Sequence, residues 1–235
     1  MAEFLKPKAS EQEESHWLSV SDLMAGLMVV FLFIAIALMR DALLERDRIK
    51  EVAVAYQETQ VDIYNALVDE FSQDLPRWNA EIDKETLTFT FKSPEVLFSR
   101  GEIELSSEYR ALLSDFFPRY MAVLDNFKDS INEVRIEGHT SSVWNRSTSP
   151  TDAYFSNMDL SQGRTRSVLE YIYRLDEIER YQSWIKSHIA AVGFSSAKPV
   201  VGEDGNEDFD KSRRVTFRVI SNADVRIKQI LEIDE

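Results

Sequence analysis

One carboxylate stands alone in a long apolar run. Between Trp17 and Met39 the single ionisable side chain is Asp22. A carboxyl group at that depth in hydrocarbon costs about 2.5–3.5 kcal/mol on insertion scales, so it is kept where something uses it. The plainer roles for it are snorkelling to the interface or capping the helix start together with Ser19 or Ser21. Gly26 follows one helical turn later on the same face and leaves room beside the carboxylate for water or a closely packed helix. Other chemistry is sparse. The chain has no cysteine, which excludes disulfides, thiolate catalysis and cysteine-ligated metal. Its three histidines, His16, His139 and His188, are scattered, and no HExxH, P-loop or GxSxG pattern occurs. The chain therefore reads as something other than an enzyme, with no bound cofactor.

The run from Trp17 to Met39 is roughly 23 residues, about one bilayer crossing for a helix. A signal peptide would carry a basic leader and a shorter apolar core, whereas the segment before this core is acidic. A buried helix of a soluble domain would show a polar face. The expectation is a single transmembrane helix over 17–39, preceded by a polar tail over 1–16. Lys6 and Lys8 precede the span, and Arg40, Arg46, Arg48 and Lys50 follow it, so charge alone would place the C-terminal side in the cytoplasm. The formal net charge of −14 and a pI of about 4.8 argue against non-specific nucleic-acid binding, which needs a basic footprint.

Residues 40–79 read as a helical neck. Ile49, Val52, Tyr56, Thr59, Ile63 and Ala66 recur at alternating steps of three and four, a modest heptad stripe that suits pairing with a second copy. The alternative is one solvated helix continuing the span. Pro76 ends the pattern. Beyond it, over 80–222, the texture becomes α+β. Strands are expected over 87–91, 133–138, 189–194 and 214–219. Helices are expected after a Ser106 or Ser107 cap, over 159–175 and over 176–186, with Pro118 kinking or dividing the first. Residues 141–156 read as a Ser/Thr-rich loop, 201–210 as an acidic loop, and 223–235 as a tail. The order β-α-β-α-β-β points to a two-layer α+β sandwich.

Several short runs in this domain resemble the OmpA-like peptidoglycan-binding family, and they come in that family's order. Val96-Leu97-Phe98-Ser99-Arg100-Gly101 is similar to its opening motif, and Ile136-Glu137-Gly138-His139-Thr140 to its I-x-G-H-T strand. Asn157-Met158-Asp159-Leu160-Ser161-Gln162-Gly163-Arg164 is similar to its N-x-x-L-S-x-x-R helix start. Ser212-Arg213-Arg214-Val215 is similar to its last strand. The resemblance implies that Arg164, Asn157, Leu160 and Thr140 bind a peptidoglycan stem peptide. Arg164 near a helix start would grip a carboxylate in a bidentate manner, Asn157 would donate and accept, and Leu160 would pack the aliphatic stem. Taken without the motif, Arg164 would be read as a surface ion pair with Glu170 or Asp159. One position departs from the family, which usually has an Asp after the Thr to hold an amino group. Ser141 stands there, and Asp152 is the candidate substitute.

A span with an early Asp, a neck and such a domain is the layout of the MotB family of stator subunits. Trp17, Asp22, Met24 and Met28 resemble its membrane core, and Ser21-Asp22-Leu23-Met24-Ala25-Gly26-Leu27-Met28 is similar to the B subunits of the Zorya anti-phage systems. The resemblance implies a rotary motor, with a homodimer of this chain inside a pentameric MotA-like (ZorA-like) ring. Asp22 would carry the transported ion, H+ or Na+. The span would sit in the inner membrane with its N-terminus cytoplasmic and the C-terminal domain periplasmic, against the charge count. A flagellar-type or accessory stator, a passive wall tether and a receptor relaying wall strain are the competing roles.

Overall fold

In a computed structural model the described residues are 9–92, 97–99, 101–145 and 147–222. The chain divides into two units, Met1–Val52 and Ala53–Glu235. The backbone is helical from Ala9 to Phe71, here called α1. The first unit is the part of α1 up to Val52. Residues 20–50 are exposed on every side in the isolated chain. Helix α1 is long and apolar enough to cross a membrane over Val20–Lys50. An apolar helix with no protein against it needs a non-aqueous neighbour.

The second unit opens with the last turns of α1. Ile63, Leu67 and Phe71, four residues apart on one face, are wholly buried in this unit's own core. This corrects the reading of Ile63 as part of a pairing stripe: Leu67 and Phe71 continue its face inward, so hydrophobic burial within the monomer takes it. The side chains of Val52 and Tyr56 lie outside the described residues, and Ile49 is exposed.

Next come β1 (Ala80–Asp83), β2 (Thr88–Phe91), α2 (Ser107–Asp125), β3 (Ile131–His139), α3 (Pro150–Tyr173), α4 (Gln182–His188), β4 (Ile189–Gly193), α5 (Phe209–Ser212) and β5 (Arg214–Ser221). The sheet order is β1-β2-β5-β3-β4. Only β3 and β4 are parallel, joined by the α3 crossover, and the other neighbours are antiparallel. Alternation along the strands sends Val134, Ile136, Val215, Phe217 and Val219 into the core. Phe116 of α2 is its hub, with ring centroids 4.7–5.3 Å from Phe71, Phe89, Phe91, Tyr120 and Phe217.

The α+β architecture follows the expected order, with local differences, among them that the helix expected over 176–186 is a 3-10 helix over Asp176–Tyr181 before α4 begins. An edge strand, β1, precedes the first expected strand. Helix α2, capped by the Ser106 hydroxyl on the Tyr109 amide (3.0 Å), runs through Pro118 without a break. Helix α3 begins nine residues early. Ser149 caps it by accepting from the Asp152 amide (3.2 Å), Pro150 occupies the first turn, and the Ser149 hydroxyl donates to the Asp152 carboxylate (2.7 Å). Asp152 is thus spent on the cap. Asn157 and Arg164 stand well inside the helix, too far along it to share the positive charge of its N-terminus.

Helix α3 seats on the sheet at two glycines. Gly138 and Gly193 are register partners on β3 and β4. A Cβ on Gly193 would lie 2.4 Å from the Gln162 amide nitrogen, and one on Gly138 would lie 2.8 Å from the Ser161 carbonyl oxygen. The Gln162 side chain then stitches helix to strand, accepting from Gly193 N (2.8 Å) and donating to the Ala191 carbonyl (3.1 Å). Gly193→Ala is expected to destabilise the domain by about 1–3 kcal/mol, because the collision is with backbone and the helix must lift. Chemical denaturation of the two proteins measures it.

The far face of β3 carries a buried pair. His139 Nε2 lies 3.5 Å from Glu137 Oε2, and the imidazole stacks on Phe194 at 5.3 Å. Burial pulls the His139 pKa below that of a free histidine, against the pull of Glu137. Burial pushes Glu137 up, but the bond from His139 and the positive charge of Lys198 outweigh it and hold the carboxylate below its ordinary range. Both folded pKa values are depressed, so the folded state binds fewer protons than the unfolded chain. The His139 contribution is full above about pH 6.5 and declines as pH falls below it; the Glu137 contribution is lost at still lower pH, through its folded value. Thermal unfolding should therefore show a falling midpoint from about pH 7.5 to 5, with a flatter profile in His139→Gln. A wild-type midpoint constant across that window would contradict the assignment.

Candidate anion-binding cleft

The end of β3, the loop after it, α3, the 97–105 segment and the approach to β5 enclose a cleft of about 430 Å³. It is lined by Phe98, Gly101, Thr140, Ser141, Val143, Trp144, Asn157, Leu160, Arg164 and Arg213. All four residues singled out in the sequence, Thr140, Asn157, Leu160 and Arg164, share this one cleft. Steps of three and four place Asn157, Leu160 and Arg164 on one face of α3, and strand β3 delivers Thr140 opposite.

Arg164 is 9% exposed and is held from three sides. Its Nε donates to the Glu102 carbonyl (2.9 Å), an Nη donates to the Ser99 carbonyl (3.3 Å), and the guanidinium lies 4.7 Å from the Phe98 ring centroid. The two carbonyl oxygens fix the orientation of the fork, and the ring covers one face of the plane. Glu170, one of the two acids considered as an ion-pair partner for Arg164, pairs with Arg174 at 2.5 Å. Asn157 is buried and donates its Nδ2 to the Ser141 carbonyl (3.1 Å). This bond sets the path of the loop leaving β3. Leu160 is half-buried at the cleft wall. The Thr140 hydroxyl is buried in the lining and has no hydrogen-bond partner among the described residues, which leaves a donor and acceptor available to a bound group or water.

Three contributions were not singled out from the sequence. Arg213 brings a second guanidinium, paired with Asp210; its signal was present in the Ser212-Arg213-Arg214 run. Ser195 is fully buried with φ of +52°, and it ties three elements together. Its carbonyl accepts from Thr140 N (2.9 Å), its hydroxyl donates to the Tyr154 carbonyl (2.6 Å), and its amide donates to Ser161 Oγ (3.1 Å). A serine in the left-handed region costs about 1–3 kcal/mol, so the surrounding bonds must hold it there. Nothing in the local sequence marks it. Val143 and Trp144 form the cleft's outer lip from a segment read only as a polar loop.

The arrangement suits an anion with an apolar stem: a fixed guanidinium, an amide and a hydroxyl at one side, and Phe98, Leu160, Val143 and Trp144 at the other. Val96 and Arg100 of the opening motif lie outside the described residues.

Residues 97–213 match the model of the OmpA family. The chain is 55% identical over 222 residues to Zorya protein ZorB from the Crooks strain of Escherichia coli, covering 94% of each chain. Among solved structures it is similar to a MotB-like protein from Desulfovibrio vulgaris, with a TM-score of 0.51 and 22% identity. That match covers 73% of this chain and 94% of the other, and it shows a shared fold. With its apolar N-terminal helix, its OmpA-type sheet domain and this level of identity along nearly its whole length, the chain belongs to the ZorB family.

Proposed function

We propose that this chain is the B subunit of an ion-driven membrane motor anchored to peptidoglycan and serving anti-phage defence. The observation that carries the reading is the combination, in one chain, of a carboxylate in an apolar span with a domain whose cleft presents a fixed guanidinium. Helix α1 crosses the inner membrane once. Its N-terminus lies in the cytoplasm and the sheet domain in the periplasm, because the ligand of the cleft lies on that side. Arg164 takes a stem-peptide carboxylate through charge-assisted hydrogen bonds, Thr140 and Asn157 supply a hydroxyl and an amide beside it, and Leu160 packs the aliphatic stem.

Two copies of the chain stand inside a pentameric MotA-like ring, with their Asp22 residues near the two-fold axis. Each Asp22 alternately binds and releases H+ or Na+. Each change alters the charge in a low-dielectric site, so each state of the ring prefers one form and the ion gradient biases rotation. Gly26, lacking a side chain, leaves room for a close partner helix beside Asp22. The cell wall holds the B subunits still while the ring turns.

Asp22 separates the motor from a passive tether. Asp22→Asn keeps the size of the side chain but cannot carry a titrating charge. The motor reading expects normal expression, ring assembly and wall binding, with loss of phage protection; Asp22→Glu should be tolerated in part at best. A plasmid-borne system challenged with phage, with assembly followed in parallel, measures this. Full protection by an assembled Asp22→Asn complex would leave the tether as the better reading.

A further inference from the structure

The loop that leaves β3 is fixed immediately before it reaches the lip of the cleft. The Ser141 carbonyl accepts from Asn157 Nδ2 at 3.1 Å. Ser142 donates its amide to Glu207 Oε1 (3.0 Å) and its hydroxyl to Glu207 Oε2 (2.5 Å). Glu207 is itself placed by its bridge to Val201, in the hairpin ahead of α5. Two side chains from separate elements therefore hold the backbone on which Val143 and Trp144 ride. Those two side chains line the cleft yet stay open to solvent, Val143 at 53% and Trp144 at 37% exposure. A flat indole on an anchored loop at the rim of the cleft is a surface for a ligand that is apolar on one face and hydroxylated on the other.

We infer that Val143 and Trp144 form a platform for a sugar ring, so that the site takes a stem peptide together with the pyranose to which it is joined. The inference rests on the wall-binding reading above and names the second half of its ligand. The occupant follows from continuity. With the peptide carboxylate at Arg164, a group attached to the peptide and leaving the cleft past Val143 and Trp144 meets the lip. In the wall that group is a sugar, whose C–H face stacks on an aromatic plane while its hydroxyls stay in water. Glu207 is a positioning residue: it acts on the sugar through the loop.

The test compares two soluble wall fragments, a disaccharide-peptide and the same peptide without sugar. Each is titrated calorimetrically into the detergent-solubilised full chain. Wild type should bind the disaccharide-peptide about fivefold more tightly, the size expected of one aromatic stacking contact. Trp144→Ala should erase that advantage, weakening the disaccharide-peptide about fivefold more than the bare peptide. Trp144→Phe should keep part of it, and Glu207→Gln should reduce it without changing peptide affinity. Arg164→Ala should weaken both fragments. Equal binding of the two fragments by wild type would overturn the platform. So would Trp144→Ala weakening the bare peptide as much as the disaccharide-peptide, since the lip would then serve the peptide chain. Failure of wild type to bind either fragment would overturn the wall reading itself, and the platform with it.

Discussion

The close seating of α3 on the sheet is the constraint from which the cleft follows. Every residue that α3 contributes, Asn157, Leu160 and Arg164, is placed by how near that helix comes to β3 and β4. Gly138 and Gly193 allow the approach, since a methyl group at either would meet helix backbone. Gln162 and Ser161 then convert contact into registration, the first by pairing with β4 and the second by accepting from the Ser195 amide. Ser195 in turn holds Thr140 by its carbonyl. The cleft is thus built from backbone contacts between strand ends and a helix, and its charged group is added last. Such an order favours rigidity.

Charge is distributed against the average of the molecule. The chain carries a formal net charge of −14, yet the cleft is lined by two guanidinium groups. Long-range attraction for an anion is therefore weak, and recognition has to come from short-range geometry: the fork of Arg164, held by two carbonyls and stacked over Phe98. The acidic hairpin over 201–207 is structural at one point at least, because the Glu207 carboxylate is engaged by Ser142. The same economy holds for Asp152, which caps α3.

Much of the fold and of the cleft was legible in the sequence. The motif residues Thr140, Asn157, Leu160 and Arg164 were, through the resemblance to the OmpA-like family, and the fold gathers them in one cleft. The alternating strands were legible because one face of the sheet is buried. What was not legible has local causes. The start of α3 was hidden by the Ser/Thr-rich stretch around it, although Ser149-Pro150 carries the cap signal. Ile63 fits a pairing stripe as well as a core face, and only the tertiary position of Leu67 and Phe71 decides between them. Strand β1 is four residues long and takes its place by pairing with β2, which no pattern within it announces. Ser195 owes its role to three distant partners, so its neighbours in sequence say nothing of it.

Arg164 is where the account is most exposed to measurement, because the geometry of the cleft converges on that guanidinium. Co-sedimentation of the purified full chain with intact peptidoglycan sacculi, wild type against Arg164→Ala, tests it directly. A charge-assisted bond to a carboxylate contributes about 1.5–3 kcal/mol, so the variant should bind at least roughly tenfold more weakly while remaining folded. Binding of folded Arg164→Ala to sacculi with undiminished affinity would contradict the account.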